Sequence, residues 1–199
     1  ERGYRGAKSR PEPLIEFGLR WLERNIPEPS GRTSFVCADS GQFVFENGRV
    51  TALLDLELSH LGDPAEDLGG LRGRDMSEPL GDLRRAVETY EQAAGWKVDR
   101  RLIDYHAVRF TLVTPLATAA LVANPIPGHD LVQYLCWYHV FGRAPLEVIA
   151  HMQGIGLLML FGGESLCRRC AATVKQLRLV DGPGQDRRNI FIVQRPAQR

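Results

Sequence analysis

Phe43-Val44-Phe45-Glu46-Asn47-Gly48-Arg49-Val50-Thr51-Ala52-Leu53-Leu54-Asp55 reads as two short strands around a tight turn. Asn-Gly is the strongest short hairpin signal, because the two-residue turn it favours needs positive φ at both central positions. A hairpin brings the chain back to where it began. Just upstream lies an apolar, strand-like segment, Ser34 to Cys37, which runs into the turn Ala38-Asp39-Ser40-Gly41. The expectation is that Asp39 and Asp55, 16 positions apart in sequence, meet at one end of a small sheet.

On the N-terminal side, Pro13 to Asn25 reads as a helix. Leu14, Phe17, Gly18, Trp21 and Leu22 fall on one face, Pro13 suits the first turn, and Pro27, Pro29 and Gly31 stop it. Beyond Leu58 the pattern turns helical. Asp63-Pro64 is a helix start, with Asp as cap and Pro at the first position. Helices are expected near 65–72, 80–95, 99–123, 129–141 and 145–160, with a further one near 166–179. Gly95 and Asn124-Pro-Ile-Pro-Gly are stops. Asp181-Gly-Pro-Gly-Gln reads as a linker and Asn189–Gln194 as an edge strand or loose tail. The fold class is α+β, mainly α, with residues 1–160 as one helical lobe carrying a small hairpin and 161–199 as a C-terminal helix and basic tail.

Composition bounds the function. The 199 residues carry 44% hydrophobic and 25% charged side chains, the mix of an ordinary globular domain. A net charge of +1 gives no global field for nucleic acid or an acidic membrane. Arg187, Arg188, Arg195 and Arg199 make the tail basic, and a solvated tail accounts for them. No signal-peptide pattern opens the chain, and the longest apolar run, Phe110 to Val122, holds three threonines. The expectation is a cytoplasmic protein with four reduced cysteines, a small-molecule substrate, and neither nucleic acid nor membrane as partner.

Phosphoryl transfer uses two carboxylates in the arrangement expected of Asp39 and Asp55. One orients or deprotonates the attacking hydroxyl, and the other binds the Mg²⁺ that neutralises the phosphates. Aspartate is also common at strand ends. From spacing alone, two turn aspartates are the plainer reading. Other candidates are weaker. Cys167-x-x-Cys170 is a single pair with no nearby His. His106, His129, His139 and His151 show no paired spacing, and no Gly-x-Gly-x-x-Gly or Walker-type loop is present.

Motif similarity reverses the order of those readings. Trp21-Leu22-Glu23-Arg24-Asn25-Ile26-Pro27, Cys37-Ala38-Asp39, the run Asn47 to Glu57, and His60-Leu61-Gly62-Asp63-Pro64-Ala65-Glu66-Asp67-Leu68 occur in that order. Together, over about a quarter of the chain, they resemble the core of the aminoglycoside phosphotransferase and choline-kinase-like family, especially its branch associated with acyl-CoA dehydrogenases. The resemblance implies the C-terminal lobe of a protein-kinase-like fold. It implies Asp39 as catalytic base and Asp55 as main Mg²⁺ ligand, with Asp63 and Asp67 bracing the site. The family's catalytic His-Gly-Asp is Cys37-Ala38-Asp39 here, and Gln42 stands where the family has a metal-binding Asn. Nothing before Asp39 supplies the β-rich nucleotide lobe, with its phosphate-covering loop and lysine, that such kinases need. Lys8 and Lys97 are the only lysines among residues 1–100.

The implied function is ATP-dependent phosphorylation of a small-molecule hydroxyl. ATP and Mg²⁺ are expected only when the N-terminal lobe is present, so this chain alone is expected to be inactive. The alternative is a catalytically inert, kinase-derived small-molecule-binding or regulatory domain.

Overall fold

A computed structural model describes residues 2–7, 12–76 and 80–155. The expected helix at 166–179, the Cys167–Cys170 pair and the basic tail lie outside the described residues.

Helices α1 (Arg2–Ala7) and α2 (Pro13–Arg24) lead into strand β1 (Ser34–Val36). The hairpin β2 (Phe43–Glu46) and β3 (Arg49–Leu53) follows, then a 3-10 turn (Leu56–Leu58) and strand β4 (His60–Gly62). Five helices complete the described fold: α3 (Ala65–Asp75), α4 (Leu83–Ala94), α5 (Arg100–Ala123), α6 (Leu131–Gly142) and α7 (Ala144–Met152). The chain is thus mainly helical with small antiparallel sheets. β1 pairs with β4 and β2 with β3.

The local signals explain the boundaries. Asn47 and Gly48 take φ of 50° and 74°, as a tight hairpin turn requires. Asp82, Asp99 and Asp130 cap α4, α5 and α6 by accepting backbone N–H groups of Arg85, Arg101 and Gln133. Gly95 ends α4 at φ 75°. Just beyond, Lys97 and the Val98 N–H, at 2.8 and 3.0 Å, fasten the nearly buried Glu91. With Arg100 they hold its carboxyl at about 2, well below the usual carboxylate range.

The core forms around α5, against which α1, α2, α3, α6 and α7 all pack. Tyr4, Ile15, Leu19, Leu112 and Ala119 form one buried cluster. Ala65, Leu68, Val98, Leu102 and Ile103 form a second, and Ala107, Val108, Val148 and Ile149 a third. By length and composition α5 is apolar enough to cross a membrane. Here part of that apolar face packs against the surrounding helices, with Leu112 1% exposed, while Val113 stands 41% exposed.

Candidate active site

The site grows from the end of β1. Val36 is fully buried and anchors the strand. The following loop, residues 37–42, is pinned from below by α3. Asp67 accepts the backbone N–H groups of Cys37 and Ala38 at 3.1 and 2.9 Å, and its carbonyl accepts the Ser40 hydroxyl at 2.6 Å. Burial pushes the Asp67 carboxyl up, and the two N–H groups only partly offset that. Burial also pushes the Cys37 thiol up, reinforced by the Asp67 charge, which disfavours the thiolate. Ala38 sits at φ 64°, a left-handed conformation that suits glycine better.

Asp63 braces the far end. It accepts the Ser30 and Ala65 N–H groups, both at 2.9 Å. Burial pushes its carboxyl up, but these hydrogen bonds and His106 outweigh burial and hold it low. Asp67 in α3 thus spends its oxygens on the start of the loop, and Asp63, just before α3, spends its own on Ser30 and the first residue of the helix.

The hairpin register sets the other half. Phe43 pairs with Leu53, and the Leu54 N–H reaches the Gln42 carbonyl at 2.9 Å. Asp55, the next residue, takes φ 57° and ψ 51°. That left-handed kink in a non-glycine residue marks a strained position of the kind that clusters at functional sites. The Gln42 side-chain amide then lies between the two acids. Its Nε2 is 3.2 Å from Asp55 Oδ2 and 3.5 Å from Asp39 Oδ2. The structure thus brings Asp39, Gln42 and Asp55 together, each within reach of one nitrogen.

Two more residues join them: Glu57, from the end of the hairpin run, and Arg74, which no local sequence pattern singles out. The exposed Glu57 hydrogen-bonds Asp55, and that bond, the Asp55 charge and then Asp39 raise its carboxyl above the usual range. Arg74, from the end of α3, donates Nε to Asp39 Oδ1 and Nη2 to Asp39 Oδ2, both at 2.6 Å. This is a bidentate, charge-assisted pair.

For Mg²⁺ the donor chemistry of the carboxylates fits: hard oxygens from Asp55 and Glu57, crowded enough that Glu57 holds its proton more tightly, while Gln42 presents its amide nitrogen to the acids and would ligate only through its oxygen. Among the described residues, no group of three or more His, Cys, Asp or Glu side chains forms a self-sufficient cage. Mg²⁺ commonly takes only one or two protein carboxylates and completes its shell with phosphates and water.

Beside the loop lies an open cavity of about 200 Å³. Ala38, Leu58, Phe110 and Val113 supply its apolar wall, and His60, Glu66, His106 and Arg109 its polar end. Glu66 is engaged there by Arg109 and by His60, the latter at 3.2 Å. His106 Nδ1 is buried without a hydrogen-bond partner among the described residues. Burial lowers the His106 pKa, and Arg109 adds to that against Glu66 and Asp63.

Comparison with known proteins adds three findings. The model of the phosphotransferase enzyme family matches residues 2–110, which include the whole loop, the hairpin and α3. No curated protein matches the chain. Among solved structures, a candidate aminoglycoside phosphotransferase from Ralstonia eutropha JMP134 superposes with a TM-score of 0.57 at 19% identity. The match covers 74% of this chain and 52% of the Ralstonia protein, so the chain spans about half the length of that relative. These matches extend to the phosphotransferase family and do not reach the acyl-CoA-dehydrogenase-associated branch within it.

Proposed function

The chain belongs to the phosphotransferase enzyme family, and we propose that it forms the catalytic lobe of an enzyme that transfers the γ-phosphate of ATP to a hydroxyl of a small molecule. One observation carries this reading: Asp39 and Asp55 meet at a single cleft, spanned by the Gln42 amide. In it, Asp39 orients the acceptor hydroxyl and receives its proton, and the cavity beside Ala38 takes the body of the acceptor. Asp55, with Gln42 or Glu57, holds Mg²⁺, which when bound neutralises charge on the phosphates. Asp67 keeps the loop from moving as charge shifts.

A second reading, an inert kinase-derived binding domain, draws on Cys37-Ala38 at the catalytic motif and on Arg74 covering both oxygens of Asp39. A transfer assay separates the two. The protein that contains this chain, given Mg-ATP and a panel of small alcohols, sugars and hydroxylated acids, is expected to yield a phosphate ester detectable by phosphorus NMR. ATP left intact with every acceptor, alongside saturable binding of one of them, would favour the inert domain.

A further inference from the structure

Helix α3 meets the 37–42 loop along one face. Asp67, Gly70 and Arg74 are spaced i, i+3 and i+7, so they align over two turns. Asp67 holds the start of the loop. At Gly70 a Cβ would stand 3.0 Å from Ser40 Oγ and 3.2 Å from the Ala38 carbonyl oxygen, so the glycine lets the helix come this close. Arg74 lies across the end of the loop. A Cβ on Gly41 would stand 2.2 Å from Arg74 Cδ and 2.6 Å from its Nε, so only a residue without a side chain admits the arginine along this path. The Asp39 and Arg74 side chains are 17% and 21% exposed, sheltered enough for the fork to be well defined.

From this geometry we infer that Arg74 is a positioning residue that sets the orientation and net charge of Asp39. The inference rests on the phosphotransferase reading. A carboxylate offers about four lone-pair sites. The guanidinium fork takes one on each oxygen, and the Gln42 amide approaches Oδ2. Oδ1 keeps a site for the acceptor hydroxyl, in a plane that the fork fixes. The transition state of phosphoryl transfer is loose, so alignment of the hydroxyl matters more than a strongly basic carboxylate. Arg74 also offsets the negative charge of Asp39 that an incoming triphosphate would otherwise face beside Asp55 and Glu57. A lysine supplies the charge without the planar fork.

Two measurements test this. The first uses the chain itself with Mn²⁺ as probe, read by electron paramagnetic resonance. Arg74→Ala should tighten Mn²⁺ binding about threefold, because Asp39 is released to the acidic cluster. The same change made in Asp39→Asn should have no effect. Unchanged affinity in Arg74→Ala, with the fold intact by circular dichroism, would overturn the inference.

The second measures ATP turnover in the protein that contains this chain. Arg74→Lys should lower kcat about tenfold with little change in KM, and should cost nothing further once Asp39 is Asn. A rise in kcat would identify Arg74 as a latch instead, and additive losses would identify a role independent of Asp39; either overturns the inference. A wild-type protein that transfers no phosphate would overturn the phosphotransferase reading, while the Mn²⁺ measurement would still decide whether Arg74 governs Asp39.

Discussion

Asp39, Gln42 and Asp55 converge because the chain between them is a hairpin with its turn written as Asn-Gly, and that much is legible locally. Arg74 is 35 residues from Asp39, and its approach depends on how α3 packs on the loop. No local pattern announces such a contact, although the absence of a side chain at Gly41 is a trace of it. Ala38 shows the opposite case. The backbone takes the left-handed conformation that suits glycine although the residue is alanine.

His106 shows no paired spacing in the sequence, yet its Nδ1, buried without a partner among the described residues, gives it a measurable effect. Burial depresses its folded-state pKa below the unfolded value near 6.5. The unfolded chain then binds more protons than the folded one in the interval between the two values. Stability is therefore full above about pH 6.5 and falls as pH drops from there toward the folded-state pKa. Thermal melts between pH 7 and pH 5 should show the decline, and His106→Phe should flatten it. An unchanged slope in that variant would assign the decline to other groups.

Among the elements, helices α4, α5 and α6 were legible as segments, and the structure adds their start signals, Asp82, Asp99 and Asp130, which the sequence reading did not use. α1 and β4 were not, since six and three residues are too few to show a period. Helix α5 runs unbroken through Pro115, where the surrounding helices override an unfavourable local residue. The glycines of α3 were the signal most easily missed. Gly69 and Gly73 face α5, and a Cβ at Gly69 would lie 2.5 Å from His106 Cβ and 2.8 Å from the Ala107 nitrogen. Backbone cannot swing aside. Gly69→Ala should thus cost about 1–3 kcal/mol by overpacking, although alanine is the better helix former by about 1 kcal/mol. Urea denaturation reads the difference, and a net gain in stability would show that α3 does not sit this close to α5.

At the scale of the whole molecule, the described residues place acids at a cleft but offer little to grip a triphosphate. Lys97 is engaged with Glu91, at the far end of α4. Apolar side chains around the hairpin stand open: Phe35, Val50, Leu53 and Leu61 are 55%, 58%, 51% and 75% exposed. Isothermal titration of this chain with Mg-ATP should accordingly show no binding in the micromolar range. Clear micromolar heat would place a nucleotide site within these residues.

On the proposed function, Asp39 acts on the reacting hydroxyl while Gln42 is dispensable beside Asp55. The most direct test is kcat for Asp39→Asn and Gln42→Ala in the protein that contains this chain, turning over radiolabelled ATP with its acceptor. The expected result for Asp39→Asn is a loss of about 10²–10⁴-fold in kcat with KM little changed, because the interaction is made mainly in the transition state. For Gln42→Ala the expected loss is about tenfold, on the order of 1.4 kcal/mol. Small and equal effects would contradict the account, leaving Asp39 a turn residue and the chain a binding domain.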